Sequence, residues 1–209
     1  MKSFSLALLL LVSLPWLAPA HTDSWHLKKV SNFSWENCDD GQDPMVIKSL
    51  TVKPVPVNIP GNITVSMEGK TGVHLSSPIK GVVVMEKEVA PGIWFQLPCY
   101  KKMGSCIYKD VCETIDYFIP PGVPCPEPFH TYGLPCHCPF KKGTYSLPKT
   151  VFQIPPLKLP PSLSSGTYRA HIVLSNGTTL RNTRLGCFKI MITLKEASRP
   201  IPGKSDHRG

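Results

Sequence analysis

Eight cysteines constrain the fold of this chain more than any other feature of its sequence. They stand at Cys38, Cys99, Cys106, Cys112, Cys125, Cys136, Cys138 and Cys187. An even number of cysteines in an exported chain favours complete pairing, so we expect four disulfides. Because eight cysteines can pair in on the order of a hundred ways, the residues themselves leave the connectivity open.

The first twenty residues have the organisation of a secretory signal. Lys2 gives a basic start, residues 6–17 are mostly apolar, and small residues at positions 18 and 20 suit a cleavage site. We therefore expect a signal peptide over residues 1–20, one domain over residues 21–196 and a basic, disordered tail over residues 197–209. Glycosylation sequons at Asn32, Asn62 and Asn176 agree with export.

Charge and motif content exclude several classes of function. The formal net charge of +9 favours anionic partners such as an acidic lipid surface. The basic residues form neither a dense stripe nor a known nucleic-acid-binding motif, which argues against nucleic acid as a partner. The sequence has no G-x-S-x-G, H-E-x-x-H, P-loop or G-x-G-x-x-G motif, so it indicates no enzyme and no cofactor.

One cluster of cysteines and histidines could be interpreted as a metal site. Cys136, His137 and Cys138 are consecutive, with Cys125 and His130 nearby. Structural zinc sites favour two to four residues between paired cysteines, and export consumes thiols as disulfides. We therefore expect no metal and interpret the two histidines as ordinary loop residues.

Alternating apolar and polar residues predict β-strands in much of the chain. The pattern is strict over residues 62–68, 168–174 and 188–194, and β-like runs cover 46–52, 82–89 and 93–97. Asn176-Gly177 predicts a hairpin turn. With 23 prolines, these runs predict an antiparallel all-β fold of sandwich, barrel or cup type. The inward apolar face of a cup can line a cavity for one ligand.

Two segments interrupt the β pattern. Apolar residues at helical spacing predict an amphipathic helix over residues 107–119, ended by Pro120 and Pro121. Residues 120–139 hold seven prolines and three cysteines, so we expect an irregular loop held in place by disulfides.

Two stretches carry large apolar residues where loops are expected. Residues 151–163 include Phe152, Ile154 and several leucines among four prolines, which argue against a central strand. Residues 89–95 place Trp94 close to a Pro-Gly turn. Each stretch could pack on the core, or it could form an apolar lip that contacts lipid or membrane.

Residues 125–148, CPEPFHTYGLPCHCPFKKGTYSLP, resemble the signature of the ganglioside activator family, the lysosomal cofactors for ganglioside hydrolysis by β-hexosaminidase A. Supporting stretches are FSWENC at 33–38, MEKEVA at 85–90 and RLGCFK at 184–189. The similarity extends over residues 33–195, which is nearly the whole expected domain.

The resemblance implies a fold, a function and a set of sites. The fold is an antiparallel β-cup of about eight strands, whose apolar cavity takes the tails of a ganglioside or other two-chain lipid and leaves the sugar head accessible. The protein is then a lysosomal or secreted enzyme activator, with β-hexosaminidase A and a transient anionic membrane surface as partners. The implied disulfides are Cys38–Cys187, Cys99–Cys106, Cys112–Cys138 and Cys125–Cys136. The implied lipid- or membrane-contacting residues at the mouth of the cup are Val89, Ile93, Trp94, Phe152, Ile154, Leu157, Lys158, Leu159 and Leu163.

The mouth is also where the sequence departs from the family pattern. Residues 156–163 read PLKLPPSL where the family usually has DLELPSWL, so two acids and a tryptophan are lost and Lys158 is gained. We interpret Lys158 as an added attraction for anionic lipid. A diverged paralogue, a general lipid-transfer protein without an enzyme partner, and a weak hydrolase remain alternatives.

Overall fold

The computed structural model describes residues 33–156, 161–177 and 183–196, apart from the side chains of residues 39, 40, 161 and 162. The expected signal peptide and tail, and the candidate residues Asn32, Leu157, Lys158 and Leu159, lie outside these ranges. Among the helices that are described, none is both long and apolar enough to cross a bilayer.

The described chain is built almost entirely of strands. In chain order the elements are β1 (Phe33–Asn37), a 3-10 helix (Cys38–Gly41), β2 (Met45–Lys53), β3 (Val57–Ile59), β4 (Gly61–Thr71), β5 (Ile79–Ala90), β6 (Ile93–Gln96), β7 (Ile107–Tyr108), α1 (Val111–Phe118), β8 (Gly143–Ile154), α2 (Pro161–Ser164), β9 (Gly166–Asn176) and β10 (Arg184–Glu196).

The strands form two sheets. Sheet A has the order β1-β10-β9-β5-β6, with β3 added alongside β10 and β7 alongside β5, and sheet B has the order β2-β4-β8. All pairs are antiparallel except the short pair between β3 and β10. The predicted all-β class is confirmed, and the described strands exceed the expected eight because β3 and β7 are short additions to sheet A.

The alternation patterns locate the long strands correctly. Five of the six predicted runs fall within an observed strand, among them residues 62–68 in β4 and 188–194 in β10, and the run at 93–97 extends one residue past the end of β6. The predicted hairpin between β9 and β10 is present, but its connection is longer than the two-residue turn expected at Asn176-Gly177. The backbone N–H of Asn176 donates to Thr183 O across it at 2.9 Å, and residues 178–182 lie outside the described ranges.

The predicted helix begins later than its apolar spacing indicates. Ile107 and Tyr108 pair with β5, and the helix begins after Asp110, whose carboxylate accepts the N–H of Cys112 at 2.9 Å as an N-cap. The same carboxylate accepts the N–H of Ile79 at 3.1 Å and the hydroxyl of Ser77. Asp110 therefore joins the start of α1 to the start of β5.

Close approach of α1 to sheet A also depends on a glycine. A Cβ atom at Gly81 of β5 would lie 2.8 Å from Cγ2 of Val111, so a side chain there would push the helix away. The disulfide Cys112–Cys138 then joins α1 to the end of the proline-rich segment. Residues 120–139 contain no helix or strand, as predicted.

Side chains of β1 join the two sheets along one side. Asn37 Nδ2 donates to Ile47 O at 2.8 Å, and Ile47 N donates to Asn37 Oδ1 at 2.9 Å. Trp35 Nε1 donates to Leu50 O at 2.9 Å. Because β2 is an edge strand with a register shift after Ile47, these side chains satisfy backbone groups that its neighbour leaves unpaired.

Asp110 provides a test of how α1 is attached. Burial raises the pKa of its carboxyl, but the hydrogen bonds from Ser77, Ile79 and Cys112 outweigh burial and hold the pKa below the ordinary value of 3.8. A lowered pKa contributes stability that is present above the unfolded-state value and is lost as pH falls through the folded-state value. This contribution therefore persists in mildly acidic solution and disappears only below about pH 4.

We expect Asp110→Ala to lower the free energy of unfolding by about 2–3 kcal/mol, since it removes an N-cap and charge-assisted hydrogen bonds. Urea denaturation at neutral pH measures this loss. Glu113→Ala, on the exposed face of the same helix, is the control and should change stability by less than about 0.5 kcal/mol. Equal effects of the two substitutions would contradict the role given to Asp110.

Candidate functional site

The space between the sheets is lined by apolar side chains that are only partly buried. β9 has a neighbour on each side, yet only Tyr168 of its eleven residues is buried. In β4, the central strand of sheet B, Ile63, Val65 and Met67 are also partly buried. Inward side chains of central strands in a close-packed sandwich lose almost all exposure. The interior of this sandwich is therefore incompletely filled.

The two ends of the sandwich differ. We call the end where β2, β5 and β8 begin the loop end, because the proline-rich segment joins it, and the end where β5 and β8 finish the lip end. The pairing of Met45 with Thr71 and of Gly61 with Ile154 defines these ends in sheet B. The hydrogen bonds from β1 to β2 show that the corresponding ends of the two sheets coincide.

A cavity of about 370 Å³ lies at the loop end. This size is within the range of about 300–1,000 Å³ that is usual for small-molecule sites. Among the described residues, the polar side chains that line it are those of Lys70, Thr71 and Tyr145. The apolar walls are Met45, Val46, Ile47 and Met67 from sheet B, Ile79, Leu174, Leu185 and Phe188 from sheet A, and Leu75, Val111, Phe129, Leu134, Pro135 and Phe140 from the helix and loops.

A small packed cluster and the proline-rich segment close the loop end. Leu75, Ile79, Cys112 and Leu185 form the buried cluster. Leu75 and Phe140 exchange two backbone hydrogen bonds of 2.8 and 2.9 Å. The ring of Phe129 packs against that of Phe152, with 6.4 Å between centroids. The proline-rich segment thus forms one wall of the cavity and contacts β8 as well.

The structure brings the two candidate lips to the same end of the molecule. Val89 is next to the last residue of β5, Ile154 is the last residue of β8, and Leu163 lies in α2, immediately before β9. The phenol of Tyr168 in β9 donates to Leu163 O at 2.7 Å, and Lys87 Nζ lies 5.6 Å from its ring centre. Burial raises the pKa of the Tyr168 phenol, so it remains protonated and able to donate.

The prolines predicted a loop for Phe152 and Ile154, but both residues lie in a strand. They lie in β8, opposite Ile63 and Gly61 of β4, and so share the inward face with those residues. The four prolines of this stretch, at positions 155, 156, 160 and 161, all follow Ile154, where β8 ends, so they do not exclude a strand that reaches Ile154. β8 is an edge strand, and Pro148 occupies a register shift between Leu147 and Thr150.

The hairpin of β5 and β6 exposes apolar side chains at the lip end. Val89, Ile93 and Phe95 each retain 56–60% of their accessible surface. Phe95 was not predicted as a candidate. It is paired with Lys87, which is paired in turn with Tyr168, so Phe95 lies on the inward face of sheet A although it is exposed.

The sequence predicted that Trp94 either packs in the core or forms part of an apolar lip, and its environment differs from both. It is only partly buried, and its ring lies under the guanidinium of Arg169 at 4.3 Å. Arg169 Nε in turn donates to Glu86 Oε2 at 2.6 Å. Because Glu86 and Arg169 are paired on the outward face, Trp94 points away from the interior and its lipid contact remains a proposal.

The cysteines are all paired in the structure. The four disulfides are Cys38–Cys187, Cys99–Cys106, Cys112–Cys138 and Cys125–Cys136, the set that the sequence resemblance implies. His137 Nδ1 lies 3.0 Å from Asp116 Oδ1 instead of joining a cysteine cluster. His171 Nε2 lies 3.2 Å from Sγ of Cys187, but that sulfur is in a disulfide and is no thiolate ligand for a metal.

Two of the three sequon asparagines can be placed. Asn62 is exposed in β4, opposite Gln153, and Asn176 is partly buried at the end of β9. Glycosylation of these residues remains a prediction.

Residues 32–194 match the family model described as "ML domain". A solved structure of a Niemann-Pick type C2 protein from Japanese carpenter ant is 15% identical, covering 78% of this chain and 99% of that chain, with a TM-score of 0.39.

Two curated relatives are much more similar in sequence. The "Ganglioside GM2 activator" of Macaca fascicularis is 55% identical over 187 residues, covering 90% of this chain and 94% of the relative. That of Mus musculus is 54% identical over 179 residues, covering 86% of this chain and 90% of the relative. The chain therefore belongs to the ganglioside GM2 activator family and carries an ML domain.

Proposed function

We propose that the protein is a non-enzymatic lipid-binding activator that holds the two tails of a ganglioside in its cup and presents the sugar head to a lysosomal β-hexosaminidase. The observations that carry this proposal are the apolar cavity of about 370 Å³ at the loop end and the partly buried apolar faces of β4 and β9 beyond it. Membership of the ganglioside GM2 activator family supports the activator role and the choice of lipid.

The interior has the chemistry that acyl chains need. Each buried CH2 group contributes about 0.8 kcal/mol, so a two-chain lipid leaves a bilayer at a useful rate only if another apolar container receives its tails. A sugar head is polar and remains in water outside such a container. The bond to be cleaved then becomes accessible to an enzyme that works in the aqueous phase.

Compartment and membrane contact form part of the same proposal. A lysosomal or secreted location agrees with four disulfides, since these bonds persist in oxidising or extracellular environments. At the lip end, Val89, Ile93 and Leu163 are proposed contacts for the bilayer from which the lipid is taken. Leu157, Lys158 and Leu159 are proposed contacts from the neighbouring segment, which lies outside the described residues.

Two measurements test the proposal. Native mass spectrometry after incubation with a ganglioside should show about one lipid per chain, since the two sheets enclose one apolar cavity of this kind among the described residues. Addition of the loaded protein should then raise the rate at which β-hexosaminidase A hydrolyses that ganglioside. Lipid uptake without any stimulation would favour a general lipid-transfer protein, and hydrolysis by the protein alone would favour a weak hydrolase.

A variant that fills the cavity gives a sharper test. Gly69 lines the cavity, and a Cβ atom there would meet only Val46 O, at 3.6 Å. We expect Gly69→Phe to fold normally and to lower ganglioside occupancy at least fivefold, because the ring takes space that the acyl chains need. Glu68→Phe is the control, because it adds the same ring to the opposite face of β4. Equal occupancy in the two variants would show that the tails do not enter this cavity.

A second variant tests the lip. Replacing Val89 and Ile93 with serine removes two exposed apolar side chains, which together should contribute about 2 kcal/mol of insertion. We expect the double variant to extract fluorescent lipid from vesicles about tenfold more slowly and to keep its uptake of dispersed lipid. Val73→Ser, an exposed position near the loop end, should extract lipid at the normal rate.

A further inference from the structure

A second group of exposed apolar residues lies outside the proposed lip. Tyr100, Met103, Ile107, Tyr117 and Phe118 retain 58–71% of their accessible surface. We call this group, with Lys101 and Lys102, the aromatic patch. Exposed aromatic residues concentrated in this way on a small domain usually mark a surface that meets another apolar phase or molecule.

The members of the patch are held next to one another. The disulfide Cys99–Cys106 closes a short loop, within which Tyr100 and Met103 exchange backbone hydrogen bonds of 2.8 and 2.9 Å. Lys102 Nζ lies 4.0 Å from the centre of the Tyr117 ring, and that ring contacts Phe118 edge-on with 5.2 Å between centroids. The loop and the end of α1 therefore form one continuous surface.

The patch continues the exposed apolar edge of sheet A. Leu97 follows β6 directly, and its N–H donates to Met85 O at 2.8 Å. Ser105 N donates to Leu97 O at 3.0 Å, which holds the disulfide loop against the end of β6. The exposed side chains of Val89, Ile93 and Phe95 thus lead along this edge toward the patch.

The disulfide-loop part of the patch is positively charged. Lys101 and Lys102 lie at the tip of the loop and Lys109 lies just before α1, whereas the helix carries the exposed carboxylate of Glu113 and the partly exposed one of Asp116. Asp110 is buried as the N-cap, and Asp116 lies 3.0 Å from His137. Exposed aromatic side chains beside lysines match the chemistry of an anionic bilayer surface, where tyrosine rings occupy the headgroup region and lysines approach the acidic lipids.

We propose that the aromatic patch docks on an anionic lipid bilayer and lays the β5–β6–β7 edge of sheet A along the membrane. A protein partner fits less well, because lysine is depleted at protein–protein interfaces. A two-fold dimer through the patch would bring the lysine pairs of both copies together. The proposal concerns attachment to the membrane and does not rest on which lipid enters the cup.

The test is sedimentation with vesicles of phosphatidylcholine, with and without about 30% phosphatidylglycerol, at low salt. We expect Lys101→Glu/Lys102→Glu to reduce binding to the acidic vesicles at least tenfold, since each lysine near the surface contributes substantially to the attraction. Lys141→Glu/Lys142→Glu changes the net charge equally at another exposed pair and should reduce binding less than threefold. An equal loss in both variants would show that attraction depends on total charge, which would overturn the proposal.

A second pair of variants tests the aromatic contribution. Phe118→Ser should lower binding to acidic vesicles severalfold, and Tyr132→Ser, at an exposed tyrosine of the proline-rich segment, should leave it unchanged. Normal vesicle binding by Phe118→Ser, with loss of β-hexosaminidase stimulation or of a dimer seen by ultracentrifugation, would assign the patch to a protein partner instead. Uptake of dispersed ganglioside, measured on the same variants, should be normal, so failure of the proposed function is distinguishable from failure of this proposal.

Discussion

Everything in this structure depends on holding two sheets together around a space that side chains do not fill. Apolar side chains around a space of about 370 Å³ lack packing contacts on the side that faces it. An ordinary domain is stable by only about 5–15 kcal/mol, so missing contacts have to be compensated elsewhere. The cohesion that a packed core usually supplies must therefore come from the periphery.

The disulfides and the β1–β2 hydrogen bonds supply that cohesion at the periphery. Cys38–Cys187 joins residues 149 positions apart. Closing a loop of that length lowers the entropy of the unfolded chain and so stabilises the folded state by about 4–5 kcal/mol. It starts directly after β1, whose Trp35 and Asn37 bond to the edge of β2. Around the loop end, Cys112–Cys138 and Cys125–Cys136 hold the proline-rich segment, which has few backbone hydrogen bonds of its own.

The sequence predicted the parts of the fold that depend on local periodicity. Strands such as β4 and β10 follow from alternation because their two faces meet different environments. The start of α1 is marked locally by Asp110 followed three residues later by Glu113, but the hydrogen bonds of Asp110 to Ser77 and Ile79, more than thirty residues away, could not be predicted. Ile107 was assigned to the helix because its apolar side chain suits helical spacing as well as a bridge to β5.

The candidate site shows the same limit, which is that contacts between distant parts of the chain do not follow from local sequence patterns. A loop was predicted for Phe152 and Ile154 because prolines follow them closely, although those prolines begin only after the last residue of β8. The sequence did not indicate that Tyr117 and Phe118 are exposed, since aromatic residues in an amphipathic helix usually pack in the core. Trp94 was expected in the core or at a free tip, and only pairing across the sheet shows that it lies under Arg169.

The incomplete core and the proposed activity have one physical origin. Tyr168 is the one buried residue of β9, and the apolar residues beside it remain available because no side chain from sheet B covers them fully. Acyl chains that occupy this interior would regain the contacts that the protein lacks, so the cost of the empty space becomes part of the driving force for lipid uptake. A tightly packed interior would make the domain more stable and leave no room for the lipid. Because the disulfides hold the periphery whether or not the interior is occupied, lipid can enter and leave without unfolding the two sheets.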